Sequence, residues 1–336
     1  MSLPDHPPGS PAGGWREHAT PEDVYYAYRL FLQRPPDAAG FANYQRLVAG
    51  GLALDDLIKG FADSDEAHAN TRPLPIDLGG YRVCVQPRDP DFARAIIATH
   101  DYEPHVRRAV RDRIEPGDVV VDIGANVGCI ALLAATVVGE TGVVVAVEPN
   151  PDNLQMLYAG MVLNEVANVR VLPLAASVRS EVLSLSRDTS NTHLVAARAP
   201  GGCLYTQTVV LDEALAWLPR LDLVKMDVEG HEIDALDGFR ASIEKHRPAL
   251  VVEFNPRCLV HLQRREPAEL LERILALYPS VRATSAFGDD ARFAETADLL
   301  EYWRVRDREL TAAGLLPEGL LHFDLVAERG RPRRAS

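Results

Sequence analysis

Val119-Val120-Val121-Asp122-Ile123-Gly124-Ala125-Asn126-Val127-Gly128 reads as a strand that runs into a glycine-bearing turn and then a helix. Gly124 and Gly128 let the backbone turn tightly and approach a ligand, and Asn126 is among the few other residue types that tolerate such dihedrals. The dinucleotide fingerprint GxGxxG is not matched, and no phosphate-cradling P-loop pattern is present. What stands there is D-x-G-x-N-x-G, with the acid Asp122 at the strand's end, which suits a cofactor carrying an ammonium and no phosphates. Glu148 ends the next strand about twenty residues beyond Gly128, where an acid can accept hydrogen bonds from both hydroxyls of a ribose. Acids at adjacent strand ends beside a glycine turn occupy the place where open α/β sheets bind ligands.

Working outward, nearly all-apolar runs alternate with helix-length segments, the signature of buried parallel strands covered by helices on both faces. The strands are expected at Val119–Val121, Val143–Val147, Val169–Pro173, Leu221–Met226 and Leu250–Glu253, with Phe323–Ala327 as a last edge strand. Helices are expected over Cys129–Val138, from the Asn150 N-cap and Pro151 to Asn164, over His231–His246 and over Pro267–Tyr278. The fold class is therefore α/β, a Rossmann-like, mostly parallel sheet over residues 76–330, followed by a basic tail at 331–336.

Ahead of it lies different material. Residues 1–19, rich in Pro and Gly, read as a disordered arm without the cationic and apolar stretches of a secretory signal. Thr20-Pro21-Glu22-Asp23 has helix-start grammar, and the helix is expected to run through Phe31. Phe41–Ala49 and Leu54–Ala62 give two further short helices, so 20–72 form a small all-α module, joined by the linker Thr71-Arg72-Pro73-Leu74-Pro75.

Composition narrows the function. A formal net charge of -13 over 336 residues disfavours broad nucleic-acid binding, despite the basic RGRPRRAS at the end. No apolar run is long enough to span a bilayer. Cys84, Cys129, Cys203 and Cys258 show neither CxxC nor Cys/His spacing, which argues against a zinc site and a disulfide framework and for a reducing, cytoplasmic setting.

The blocks PGDVVVDIGANVG, VVVAVEPNPDNLQML, VVLDEALAWLPRLDLVKMDVEGHEIDALDG and HRPALVVEFNP together resemble the successive motifs of the FkbM family of S-adenosylmethionine-dependent methyltransferases, in order from about Tyr102 to Pro256. The resemblance implies O-methylation of a sugar, glycan or glycosylated natural product. It assigns the cofactor to Asp122, Gly124, Ala125, Asn126, Gly128, Glu148, Pro149 and Asn150, with Ala175 and Ala176 of the Leu174–Ser177 stretch beside the adenine, and with Asp227 and Glu103. No acid stands in that stretch to accept from the adenine amine, so a backbone carbonyl or Ser177 would have to serve. YRLFLQRPPDAAGFANYQRLVAGGLALDDLIKGFADSDE resembles a small bacterial helical module, phycobilisome-linker-like and of unknown function, expected either to dimerise the enzyme or to hold its substrate.

Methyl transfer to a hydroxyl is an in-line displacement that needs alignment of the acceptor and removal of its proton. Lys225-Met226-Asp227-Val228-Glu229-Gly230-His231-Glu232, at a strand's C-terminal end, offers His231 as proton acceptor, with Asp227 and Glu229 sharing the rim. The alternative activator is a divalent cation on Asp227, Glu229 and Glu253, which no EF-hand or HExxH spacing supports. Asp101-Tyr102-Glu103-Pro104 and Thr189-Ser190-Asn191-Thr192-His193 are expected to shape the acceptor pocket. Two rival readings are a non-catalytic nucleoside-binding or scaffold protein on the same fold and a NAD-dependent oxidoreductase or epimerase. The latter lacks the third glycine of its pyrophosphate turn.

Overall fold

The computed structural model describes residues 17–32, 34–67, 73–87, 89, 92–186, 192–195 and 204–328. The chain divides into two compact units, one of residues 1–72 with 86–88, the other of 73–85 with 89–336.

In the first unit Thr20 and Asp23 form a reciprocal capping box that starts α1 (Pro21–Ala27), which continues into a π-helical turn over Tyr28–Leu32. α2 spans Ala38–Ala49: Asp37 accepts from the Gly40 N–H and so starts the helix earlier than Phe41. α3 spans Leu54–Ala62, and its Leu57 and Phe61 pack with Val24, Ala27 and Tyr28. The arm expected through residue 19 is already paired from Glu17 onward, since Glu17 accepts from the Leu54 N–H and Ala19 donates to Leu52. Residues 1–16 of that arm and the tail 331–336 lie outside the described residues.

The second unit opens with a hairpin of β1 (Leu74–Asp77) and β2 (Arg82–Val85), so Leu74 and Pro75 belong to a strand rather than to the linker. A two-stranded ribbon tolerates Pro75 because its missing N–H can face away from the partner. Then follow α4 (Phe92–Thr99), α5 (Pro104–Arg111), β3 (Val119–Ile123), α6 (Cys129–Val138), β4 (Val143–Val147), α7 (Pro151–Leu163) and β5 (Val169–Leu172). Short pieces come next: β6 (Ala175–Ala176), β7 (Val182–Leu185), β8 (Leu194–Val195), β9 (Leu204–Val209) and α8 (Leu211–Ala214). The rest is β10 (Leu223–Met226), α9 (Glu232–Asp237), α10 (Arg240–His246), β11 (Ala249–Phe254), α11 (Pro256–Gln263), α12 (Pro267–Leu277), β12 (Val281–Thr284), β13 (Asp290–Phe293), α13 (Thr296–Ala312) and β14 (Phe323–Ala327).

The main sheet has eight strands in the order β13-β12-β14-β11-β10-β3-β4-β5. The run from β11 to β5 is parallel, while β14 is antiparallel to both β11 and β12. It is a Rossmann-like, mostly parallel sheet with helices on both faces. β14 is an interior strand, not the edge expected: all five of its residues are buried, as a strand with neighbours on both sides requires. A helix over His231–His246 is likewise interrupted at Gly238-Phe239. A Cβ at Gly238 would stand 2.2 Å from the Ser177 carbonyl oxygen, so the helix breaks where the chain packs against the segment that follows β6.

Period-two alternation sorts the strand side chains between two cores. Val119, Val121 and Ile123 join Leu250, Val252, Ile233 and Phe239 on one face, whereas Val120, Val144 and Val251 join α4 to α7 on the other. On this second face charged residues stand near the ends of adjacent strands. Asp122 lies in register with Lys225, and Glu253 with Asp324.

Candidate active site

A cavity of about 260 Å³ opens at the C-terminal edge of β3, β4, β10 and β11. Because β14 runs antiparallel, its beginning stands at that same edge, and His322 joins the wall.

The turn after β3 forms one side. Gly124 has φ +79°, and a Cβ there would fall 1.7 Å from the Asp227 carbonyl oxygen. Only glycine lets the two strand ends lie so close. Gly128 serves packing instead: it lies off the cavity, and a Cβ would meet Leu157 at 2.4 Å. Asn126 sits at φ +50°, and its N–H donates to Glu148 Oε2 at 2.8 Å. Glu148 Oε1 accepts from the Asn150 N–H at 2.8 Å and from Asn153 Nδ2 at 3.3 Å. Burial pushes the Glu148 carboxyl up to about 7, against the pull of these donors.

Of the residues expected at the cofactor, Glu103, Gly124, Asn126, Glu148, Pro149, Ala175, Ala176 and Asp227 line the cavity. Asp122, Ala125, Gly128 and Asn150 do not. Asp122 is fully buried beneath the turn, where Lys225 Nζ lies 3.6 Å from it. Lys225 also donates to the Gly124 carbonyl at 3.1 Å and to Asp227 Oδ2 at 3.3 Å. Burial opposes the lysine's charge, but Asp227, Asp122 and Glu103 outweigh it and hold the amine protonated. Asn150 caps α7 through the Asp152 N–H. Its place is therefore to orient Glu148 and the helix.

Asp227, Glu229, His231 and Glu253 all line the cavity. Glu229 is held at φ +51°, and among the described residues its side chain receives only the weak thiol donor of Cys258 at 3.6 Å. Burial, then Asp227, pushes it up to about 7. His231 Nε2 lies 3.2 Å from Ser177 Oγ, and Gln263 is its second side-chain partner. Burial lowers its pKa, so the imidazole is neutral. Ser177 is thus engaged by His231 rather than left for an adenine amine. Glu103, with φ +37°, is raised to about 8 by burial, then by Asp324 and Asp227. Backbone strain at Glu103, Asn126 and Glu229, all on one cavity, is the pattern that functional sites show.

The acids that converge are Asp227, Glu232 and Glu253, with one oxygen from each lying within 4.8 Å of the others. Glu232, not Glu229, completes this group. The turn through Glu229 and Gly230, at φ +51° and +95°, swings the Glu232 side chain inward, where it accepts the Val228 and Gly230 N–H groups.

Sequence reasoning missed Phe92, Leu185, Leu194 and His322 in the wall, whereas Asn255, beside Glu253, stands where expected. Tyr102 was expected, and it packs edge-on against Phe92 with ring centroids 5.1 Å apart. Thr192 is in the wall, whereas Thr189, Ser190 and Asn191 lie outside the described residues. His193 pairs with Ser186 Oγ at 3.0 Å and is not in the wall. Cys84, Cys129 and Cys258 are free thiols, and Cys203 lies outside the described residues. Among the described residues no helix is long and apolar enough to cross a membrane.

A Rossmann-like sheet with an acid at the end of its second parallel strand and a cavity across its central strand ends is a place where open α/β folds bind nucleoside-containing ligands. Residues 122–276 match the model of the methyltransferase FkbM domain. It is similar to the hexuronic acid methyltransferase AglP of Haloferax volcanii, at 30% identity over 149 residues, which are 42% of this chain and 58% of that protein. The match therefore spans little more than half the length of that relative. Among solved structures, similar chains include methyltransferase FkbM from Methylobacillus flagellatus (18% identity, TM-score 0.39, 80% of this chain and 57% of that one). Another is a precorrin-6y C5,15-methyltransferase from Geobacter metallireducens (14% identity, TM-score 0.34, 67% and 89%).

Proposed function

We propose that the protein is an S-adenosylmethionine-dependent O-methyltransferase that acts on a hydroxyl of a sugar, glycan or glycosylated natural product. The observation that carries this reading is the juxtaposition, in one cavity, of Glu148 and the Gly124 turn with Asp227 and Glu229 across the strand ends. The residues present fit such a donor. Glu148 would hold the ribose, Leu174, Ala175 and Ala176 offer an apolar wall to the adenine, and the acids near Asp227 suit a ligand that carries positive charge. The donor supplies a methyl carbon on a sulfonium.

In the transfer the acceptor oxygen forms its bond to that carbon as the carbon–sulfur bond breaks, and the hydroxyl proton passes to a protein oxygen. Glu229 is placed to take it: its carboxylate faces the cavity and has no partner stronger than a thiol. His231, held between Ser177 and Gln263, acts as a wall that fixes the adjoining turn. Asp227, anchored by Lys225, orients the donor's amino-acid portion or the acceptor. The relative AglP is named for hexuronic acids, which makes a uronic acid residue the first acceptor to try.

The helical unit carries none of these residues, and we assign it to dimerisation or to substrate holding. The experiment is a screen of sugars, oligosaccharides and glycosylated metabolites, with and without uronic acid, against radiolabelled donor. Labelled product from a carbohydrate, absent with non-glycosylated alcohols, is expected. A protein that binds S-adenosylhomocysteine but labels only non-carbohydrate acceptors would overturn the substrate class.

A further inference from the structure

The acids around β10 and β11 outnumber what the protein supplies to balance them. Lys225 is the one cation within ion-pair distance of Asp122 or Asp227 among the described residues, and it is already shared with the Gly124 carbonyl. Asp227 reaches it through Oδ2. Glu232 is wholly buried, and while one of its oxygens accepts two backbone N–H groups, the other, Oε2, is buried with no hydrogen-bond partner. Glu253 also has a buried oxygen, Oε2, without a partner, and its other oxygen meets only Asn255 Nδ2 at 3.5 Å. An unpaired buried carboxylate is costly, and this one is fixed in place by the Val228–Gly230 turn.

The three carboxylates converge, with one oxygen of each within 4.8 Å of the other two. Ligand oxygens on opposite sides of a divalent cation stand about 4.2 Å apart for magnesium and about 5 Å apart for calcium, from bonds of about 2.1 and 2.5 Å. The spacing is that of a single coordination shell made wholly of hard oxygens, the donor set of magnesium, manganese or calcium. Asp227 and Glu253 present the shell to the cavity, whereas Glu232 closes it from behind and is not part of the cavity wall. A ligand lying in the cavity does not meet Glu232. A small cation seated between the three carboxylates does.

We infer that Asp227, Glu232 and Glu253 bind one divalent cation of the magnesium and manganese class. With three protein oxygens as ligands, the remaining positions face the cavity and take water or acceptor oxygens. For what the ion does, the inference rests on the methyl-transfer reading: an acceptor hydroxyl with a neighbouring hydroxyl or carboxylate would chelate it. Where the ion binds does not depend on that reading.

The test uses the full-length chain freed of metal with a chelator and titrated with Mn²⁺ alone, with the loss of the free-ion electron paramagnetic resonance signal as readout. Magnesium competition and S-adenosylhomocysteine calorimetry run in parallel. Uptake of one Mn²⁺ per chain, displaced by Mg²⁺, is expected. Glu253→Gln should weaken it by about tenfold or more, as disturbing a metal's surroundings commonly does. Glu232→Gln should do the same. Gln keeps an amide oxygen for the Val228 and Gly230 N–H groups, so the fold should hold; should it not, Glu253→Gln carries the test alone. Glu229→Gln should weaken Mn²⁺ binding less than either of these, since Glu229 lies outside the converging group and acts on it only through its charge. No uptake at millimolar Mn²⁺, or uptake that Glu253→Gln does not change, overturns the inference. Binding of S-adenosylhomocysteine without Mn²⁺ uptake sinks the metal site and leaves the methyltransferase reading standing. Mn²⁺ uptake without S-adenosylhomocysteine binding does the reverse.

Discussion

Replacing Glu148 with Gln separates a structural acid from one that binds the cofactor. A carboxylate offers about four lone-pair directions. In Glu148 three are already used, by the Asn126 and Asn150 N–H groups at 2.8 Å each and by Asn153 Nδ2 at 3.3 Å. The open direction is on Oε2, toward the cavity, so one ribose hydroxyl can donate there without displacing a protein donor. A two-hydroxyl grip requires Asn153 to yield. A single charge-assisted hydrogen bond is worth about 1.5 to 3 kcal/mol, or about 10- to 150-fold in affinity. The Gln amide also turns an NH₂ toward one of two backbone donors, which should cost about 1 to 3 kcal/mol of stability. Thermal melting and circular dichroism therefore accompany the binding measurement.

Calorimetry with S-adenosylhomocysteine and with its 2′-deoxy and 3′-deoxy analogues closes a double-mutant cycle. Removal of the hydroxyl that meets Oε2 should weaken binding to the wild type and hardly change binding to Glu148→Gln. The pH dependence adds a second signature. Burial raises the carboxyl to about 7 in the folded chain from an ordinary 4.5, so the folded state holds this proton more tightly than the unfolded one. Its contribution to stability is present below about pH 4.5 and is lost as pH rises through 7, on the order of 3 kcal/mol in all. Cofactor affinity runs the other way: at pH 6 only about a tenth of the carboxyl is ionised, so wild-type binding should strengthen about tenfold toward pH 8. A folded Glu148→Gln protein that binds as tightly as wild type, or a cycle in which the two losses simply add, would refute the ribose assignment.

Glu229→Gln should lower kcat by about 100-fold to 10,000-fold with S-adenosylhomocysteine affinity nearly unchanged, whereas His231→Gln should cost less than tenfold. The opposite ranking in single-turnover rates would return the proton to the histidine. Gly124→Ala must move the Asp227 carbonyl by more than an ångström to relieve a 1.7 Å contact, and φ +79° adds strain. A loss of about 2 to 4 kcal/mol in urea unfolding is expected, and cofactor binding should vanish from the fraction that still folds. A chain beginning at Pro73, which keeps β1 whole, should fold and bind S-adenosylhomocysteine within about twofold of full length. Loss of binding in a truncation that melts cooperatively would show that the helical unit contributes to the cofactor site.

Much of the wall proposed for the donor was legible because it is local. The β3 strand, the Gly124 turn, Glu148 at the end of β4 and the Asn150 cap with Pro151 are each set within a few residues, and all fall where expected. The acceptor side was not, because long-range register and backbone hand decide it. Glu229 and Glu232 are equivalent candidates in sequence, and only the left-handed backbone at Glu229 and Gly230 determines which of them turns toward Asp227 and Glu253. Strands β6 to β9 are absent from the expected elements: β6 and β8, at two residues each, carry no period to detect, whereas the alternation of the six-residue β9 was missed.

The misplacement of β14 shows how one topological fact propagates into chemistry. As an outer parallel strand, Phe323–Ala327 would have presented its C-terminal end to the site and left His322 at the far edge of the sheet. Inserted antiparallel between β11 and β12, it brings His322 to the cavity wall and sets Asp324 in register with Glu253. Two acids on neighbouring strands then share one face of the sheet. Asp324 is offset by His105 Nε2 at 2.8 Å, but Glu253 keeps a buried oxygen without a partner. The histidine partner settles one carboxylate and leaves the other to a ligand. A positively charged ligand therefore binds here with a favourable electrostatic term that a neutral one lacks. In the metal-free protein the donor, with its sulfonium, should accordingly bind more tightly than the neutral-sulfur product, by a margin that shrinks in Glu253→Gln and when Mn²⁺ occupies the carboxylates.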